Sequence, residues 1–131
     1  MACESERKTI LVVDDEPDVV TYLTTLLTDN GFACVSAVDG VEGMATVKAA
    51  RPDLICLDIS MPEKSGVRMY RELSEDATTA KIPVIIVTGV SQEFEKFISS
   101  RKQVPPPTGY VAKPIDRAEF LAKVKSALGT N

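Results

Sequence analysis

The 131-residue chain has no histidine and no tryptophan, and only three cysteines. Without histidine it can offer no imidazole metal ligand, no imidazole general base and no phosphohistidine. Aromatic residues make up 5% of the chain, so its core must be largely aliphatic. The cysteines Cys3, Cys34 and Cys56 are odd in number and form no Cys-x-x-Cys pair, which argues against a zinc site or a dithiol redox motif. Cys34 and Cys56 fall in apolar runs and are expected to be small buried hydrophobes. Their reduced state suits a cytoplasmic protein, and Cys3 lies in a polar tail. No apolar run approaches the ~20 residues that cross a bilayer, and the first residues are too polar for a signal peptide. There is no basic excess: 15 Lys and Arg stand against 19 Asp and Glu. A net charge of −4 argues against a general nucleic-acid surface.

What the chain does have is length and aliphatic content enough for one domain, 44% of it hydrophobic. Short apolar runs at Thr9–Val13, Ala33–Ala37, Leu54–Leu57, Pro83–Val87 and Tyr110–Ala112 read as strands buried on both faces. Between them lie stripes at helical spacing: Val19, Val20, Leu23, Leu26 and Leu27; Val41, Met44, Ala45 and Val47; Val67, Tyr70 and Leu73; Phe94, Phe97 and Ile98; and Phe120, Leu121, Val124 and Leu128. Punctuation agrees with the alternation. An acid precedes Pro17 at a helix start, Asn30 and Gly31 form a helix stop, Pro52 ends the second helix, and Pro114 opens the fifth. Five β/α repeats predict a parallel, doubly wound sheet with right-handed crossovers.

Ligands of such sheets bind beyond the carboxyl ends of the strands. There the sequence places Asp14 and Asp15 after the first strand, Asp58 at the third, Thr88 at the fourth and Lys113 at the fifth. Each has an ordinary reading: acids cap helices, threonine suits strands, and lysine is usually a solvated surface residue. Tyr110 in a strand reads as packing. Capping alone does not explain acids, a hydroxyl and a lysine at the same ends of four strands. Gathered carboxylates repel one another unless a cation lies among them, and an oxygen-only ligand set suits Mg²⁺ (or Mn²⁺) better than Zn²⁺. A carboxylate can also act as a nucleophile and form an aspartyl-phosphate. Lys113, a metal ion, the Thr88 hydroxyl and backbone N–H groups would then meet the charge of the phosphoryl group, and Gly89 would leave room for a phosphodonor.

At this point the chain resembles the receiver domains of two-component response regulators. The resemblance rests on Ile10–Glu16 (ILVVDDE), Asp39–Gly43 (DGVEG), Arg51–Pro62 (RPDLICLDISMP) through Gly66, Pro83–Gly89 (PVIIVTG) and Gly109–Pro114 (GYVAKP). It covers about residues 8–129, with residues 1–7 left as a polar tail. It implies a flavodoxin-like five-stranded sheet of order 2-1-3-4-5 with five helices on both faces. Asp58 is then the phosphoacceptor, and Asp14, Asp15, Asp58 and the Ser60 carbonyl hold the metal. Lys113 pairs with the phosphoryl group, the Lys113–Pro114 peptide is one that is commonly cis in the family, and Thr88 and Tyr110 are a coupled switch pair. The phosphoryl donor is a sensor histidine kinase or phosphotransfer protein. The expected response is a change in the surface formed by the fourth helix, fifth strand and fifth helix, which docks a downstream protein and allows a phosphorylation-dependent dimer. The chain would be no enzyme beyond its own phosphotransfer and autodephosphorylation, would bind no nucleic acid directly, and would be cytoplasmic without membrane insertion.

Two departures from the pattern stand out. The stretch between Thr88 and Lys113 is longer than usual and carries Pro105, Pro106 and Pro107, so the fourth helix is expected to end near Arg101–Gln103. Ser60 and Val90, at positions that tune dephosphorylation in the family, are poor groups for orienting water, which predicts slow phosphate loss. Three alternatives remain. A phosphatase of the haloacid-dehalogenase type would need an Asp where Ser60 stands. A nucleotide or flavin module would need a Gly-rich loop where Asp14–Pro17 stands. A docking module could work without phosphorylation. The cognate kinase, the output, and whether the chain is stand-alone or part of a larger regulator stay open.

Overall fold

The computed structural model describes residues 8–59, 65–88, 108–113 and 115–129; of Ser65, Val67, Thr88 and Ala112 it describes the backbone only. The described elements run β1 (Thr9–Val13), α1 (Pro17–Asp29), β2 (Ala33–Ala37), α2 (Gly40–Ala50), β3 (Leu54–Asp58), α3 (Ser65–Glu75), β4 (Val84–Thr88), β5 (Gly109–Ala112) and α4 (Arg117–Ala127). All strands are parallel, in the order β2-β1-β3-β4-β5. The order reverses at β1, so the crevice for a ligand opens beyond the carboxyl ends of β1 and β3.

Alternation along each strand explains the near-continuous apolar runs. Ile10, Val12, Cys56 and Ile85 face one way and pack with Leu23 and Leu27 of α1 and Phe120 and Val124 of α4. Leu11, Val13, Ile55, Leu57 and Ile86 face the other way and pack with Val47 of α2 and Met69, Tyr70 and Leu73 of α3. These apolar strand residues therefore meet helices on both faces of the sheet. Truncating a fully buried anchor such as Phe120 to Ala would cost about 3–5 kcal/mol.

Strands β1 and β2 fall on the expected residues, while β3 and β4 each run on to the polar residue at their ends, Asp58 and Thr88. The α1 start has Pro17 in its first turn, and the acid at its cap is Glu16. That carboxylate makes no capping hydrogen bond, because it is engaged elsewhere. Gly31 takes φ +90° just past the α1 cap residue Asn30. Helix α2 stops at Ala50, with Arg51 left-handed at φ 48°. The following Pro52 disfavours helical geometry at Arg51.

Two expectations need correction. The last helix does not open at Pro114. It begins at Arg117, because the Asp116 side chain accepts the Glu119 N–H at 2.9 Å and sets the cap. Cys56 is buried, but Cys34 is only half-buried, since β2 is an edge strand. Burial raises the pKa of both thiols, so neither is primed to react. The expected fourth helix around Phe94–Ile98, its end near Arg101–Gln103, the prolines 105–107, and Ser60, Gly89, Val90 and Pro114 lie outside the described residues.

Candidate functional site

The parallel register carries the site residues to one edge. Val13 pairs with Leu57, so the next residues outward, Asp14 and Asp58, sit side by side beyond β1 and β3. Asp58 itself pairs with Val87, one residue before Thr88, and Thr88 pairs with Ala112, one residue before Lys113. The strands thus bring Asp14, Asp58 and Lys113 together and put the Thr88 backbone beside them. Asp15 joins from the turn that follows Asp14.

Lys113 is the hub. Its Nζ lies 3.3 Å from Asp14 Oδ2, 3.4 Å from Asp58 Oδ2 and 3.2 Å from Glu16 Oε1. Asp14 and Asp58 are each 1% exposed, whereas the Glu16 side chain is 61% exposed. Asp14 Oδ1 accepts the Glu16 backbone N–H at 2.9 Å, which fixes the turn into α1. Its other oxygen, Oδ2, is buried and makes no hydrogen bond among the described residues; it meets Lys113 only as an ion pair.

Burial, opposed by the Glu16 N–H and reinforced by the Asp58 charge, pushes the Asp14 carboxyl up to about 6. Desolvation alone would lower the Lys113 pKa, but the charges of Asp58 and Asp14 outweigh it and hold the ammonium above its usual value. One lysine therefore stands against four carboxylates. Oxygens of Asp14, Asp15, Glu16 and Asp58 all lie within 4.8 Å of one another. An orphaned buried oxygen in an excess of negative charge is a donor set suited to a hard divalent cation.

Tyr110 is half-buried on β5 and packs against the core cluster of the α2–α3 face. Its carbonyl accepts a hydrogen bond from Lys123 Nζ. Two further contacts escape sequence reading. Glu16 reads as a helix-start acid, and only its approach to Lys113 places it in the site. Gly66 in the first turn of α3 lies so close to β3 that a Cβ there would sit 2.1 Å from the Asp58 carbonyl oxygen; its sole sequence signal is its place in the segment from Arg51 through Gly66.

Comparison with known proteins gives the same reading over most of the chain. Residues 10–125 match the family described as the response regulator receiver domain. Protein PilH of Pseudomonas aeruginosa is 36% identical over 119 residues, covering 91% of this chain and 96% of PilH. Protein Rrf1 of Nitratidesulfovibrio vulgaris is 34% identical over 121 residues, covering 92% of this chain and 83% of Rrf1. The structure of the chemotaxis response regulator CheY4 of Vibrio cholerae superposes with a TM-score of 0.81 at 25% identity, covering 93% of this chain and 99% of CheY4. With the 2-1-3-4-5 sheet and an acidic cleft at its carboxyl edge, these matches establish that the chain belongs to the receiver domains of two-component response regulators.

Proposed function

We propose that Asp58 is the phosphoacceptor of this receiver and that residues 8–129 form the receiver unit, with residues 1–7 as a tail. The observation that carries the reading is the meeting of buried Asp58 and Asp14 with Lys113 at 3.4 and 3.3 Å. A carboxylate oxygen of Asp58 attacks phosphorus. The P–N bond of a donor phosphohistidine, or the P–O bond of a small acyl phosphate, breaks, and its electron pair leaves with the donor. Lys113 stays protonated and meets the negative charge on the phosphoryl oxygens.

Asp14, Asp15 and Asp58, with the Ser60 carbonyl, are the residues that would hold Mg²⁺ or Mn²⁺. When bound, that ion supplies the positive charge that lets the clustered acids and a phosphoryl group share one site. Asp14 also fixes the chain turn through the Glu16 N–H, and Lys113 keeps the acids in register from the far strand. Thr88 and Tyr110 are the proposed switch pair. Phosphorylation adds charge and acceptor oxygens beside the end of β4, and so biases a two-state surface that includes β5 and α4. A histidine kinase or phosphotransfer protein serves as donor, and a downstream protein reads the altered surface. Slow autodephosphorylation and a cytoplasmic setting complete the reading. No described helix is long and apolar enough to cross a membrane.

The test is incubation with Mg²⁺ and acetyl phosphate followed by intact mass spectrometry. The wild type should gain one phosphoryl group, dependent on the metal, and Asp58→Asn should gain none. Equal gain by both proteins would overturn the assignment.

A further inference from the structure

The ammonium of Lys113 has three N–H donors and three carboxylate neighbours: hydrogen bonds to Glu16 and Asp58 and an ion pair with Asp14. A phosphoryl group approaching Asp58 competes with these carboxylates for the ammonium. The partners are unequal. Asp14 is buried, and leaving its charge without a cation is costly; the Asp58 charge passes to the phosphoryl oxygens, where Lys113 can still meet it. Glu16 is exposed, so water can replace its lysine contact at little expense. Glu16 also occupies the N-cap of α1 without using its carboxylate as a cap. Its side chain is directed instead to a lysine 97 residues away in sequence.

We propose that Glu16 is a positioning residue for Lys113. It draws the ammonium toward the rim of the site before phosphorylation, and it is the partner released when the phosphoryl group arrives. This inference rests on the assignment of Asp58 and Lys113 above. Two consequences have opposite signs. By drawing Lys113 toward the rim, Glu16 weakens the lysine's competition with a metal ion for Asp14 and Asp58, so it favours metal binding. By holding the same ammonium, it competes with the phosphoryl group, so it slows phosphotransfer. An exposed ion pair is worth little, and the expected effects are correspondingly modest, about 1.5- to 5-fold each.

The experiment is a double-mutant cycle with Glu16→Gln and Lys113→Met, read by calorimetric Mg²⁺ titration. A parallel measurement follows the rate of phosphoryl gain from acetyl phosphate at saturating Mg²⁺. In the wild-type background, Glu16→Gln should weaken Mg²⁺ binding by about 1.5- to 5-fold. It should also speed phosphorylation by a similar factor, less so at high salt. In the Lys113→Met background the change in Mg²⁺ affinity should vanish. An equal loss of Mg²⁺ affinity in both backgrounds would make Glu16 a direct contributor to the metal site and overturn the proposal. Unchanged affinity and rate in the wild-type background would overturn it too, leaving Glu16 a helix-start residue. Failure of the wild type itself to take up phosphate would sink the Asp58 assignment instead, and the metal cycle would still be readable.

Discussion

Replacing Gly66 with alanine adds a single methyl group at a point where the backbone of α3 presses on β3. The new Cβ would lie 2.1 Å from Asp58 O, 2.8 Å from Ile59 Cα and 3.0 Å from Asp58 C. Carbon–oxygen contacts settle at about 3.3–3.6 Å, so a gap of more than ~1 Å must open between helix and strand. Neither side yields easily. Asp58 is paired with Val87, and Ile59 N–H donates to Val87 O at 3.3 Å. On the other side, Met69, Tyr70 and Leu73 anchor α3 in the core. Overpacking of this kind costs typically about 1–3 kcal/mol, and a backbone clash belongs at the upper end. Gly43→Ala is the natural control. Its Cβ would meet Met69 Sδ at 2.7 Å and Cε at 2.9 Å, the far end of a flexible side chain that can swing aside. Gly66→Ala should therefore lose about 2–3 kcal/mol in urea unfolding followed by far-ultraviolet circular dichroism, and Gly43→Ala clearly less. A reacting carboxylate displaced by ~1 Å can lose on the order of 10²-fold in rate, so Gly66→Ala should also phosphorylate far more slowly even where it is fully folded. Stability within ~0.5 kcal/mol of wild type together with an unchanged phosphorylation rate would refute the reasoning.

The raised pKa of Asp14 predicts an inverted pH profile for the metal-free protein. Between pH ~4 and ~6 the folded state holds a proton that the unfolded chain has released, so stability falls as pH rises through this window. A shift from 3.8 to about 6 corresponds to roughly 3 kcal/mol at most. Urea midpoints should show this slope, Asp14→Asn should flatten it, and saturating Mg²⁺ should reduce it. At the start of α2, Asp39 Oδ1 accepts the Glu42 N–H at 2.8 Å while Glu42 Oε1 accepts the Val38 N–H at 3.2 Å. Asp39→Ala should lower stability by about 0.5–2 kcal/mol. Because Asp39 is not part of the Lys113 cluster, the same variant should phosphorylate at close to the wild-type rate once folded, as a mass time course would record.

The sheet was legible because its physics is local and repetitive. A run such as Leu54–Leu57 has no polar face, and only a strand covered on both sides accepts that composition. The acids and the lysine were legible for a related reason: an apolar run that stops at Asp14, Asp58 or Lys113 marks the end of a strand. Helix ends were harder to place. Pro114 looks like a first-turn proline, but the cap is decided three-dimensionally by Asp116 and the Glu119 N–H. Cys34 and Cys56 have similar apolar neighbours in sequence, and only the strand order makes one an edge residue. Glu16 and Gly66 could not be assigned from local pattern. The first acquires its role from Lys113, just past the end of β5 and 97 residues away in sequence, and the second from the thickness of the gap between α3 and β3.

The central claim is that the phosphoryl group resides on Asp58. The direct measurement is reductive trapping of the phosphorylated protein with borohydride, followed by peptide mapping of the reduced residue. The account predicts homoserine at position 58 alone, formed only after incubation with Mg²⁺ and acetyl phosphate. Homoserine at position 14 or 15 instead, or a phosphoryl group that resists borohydride on a hydroxyl side chain, would contradict it.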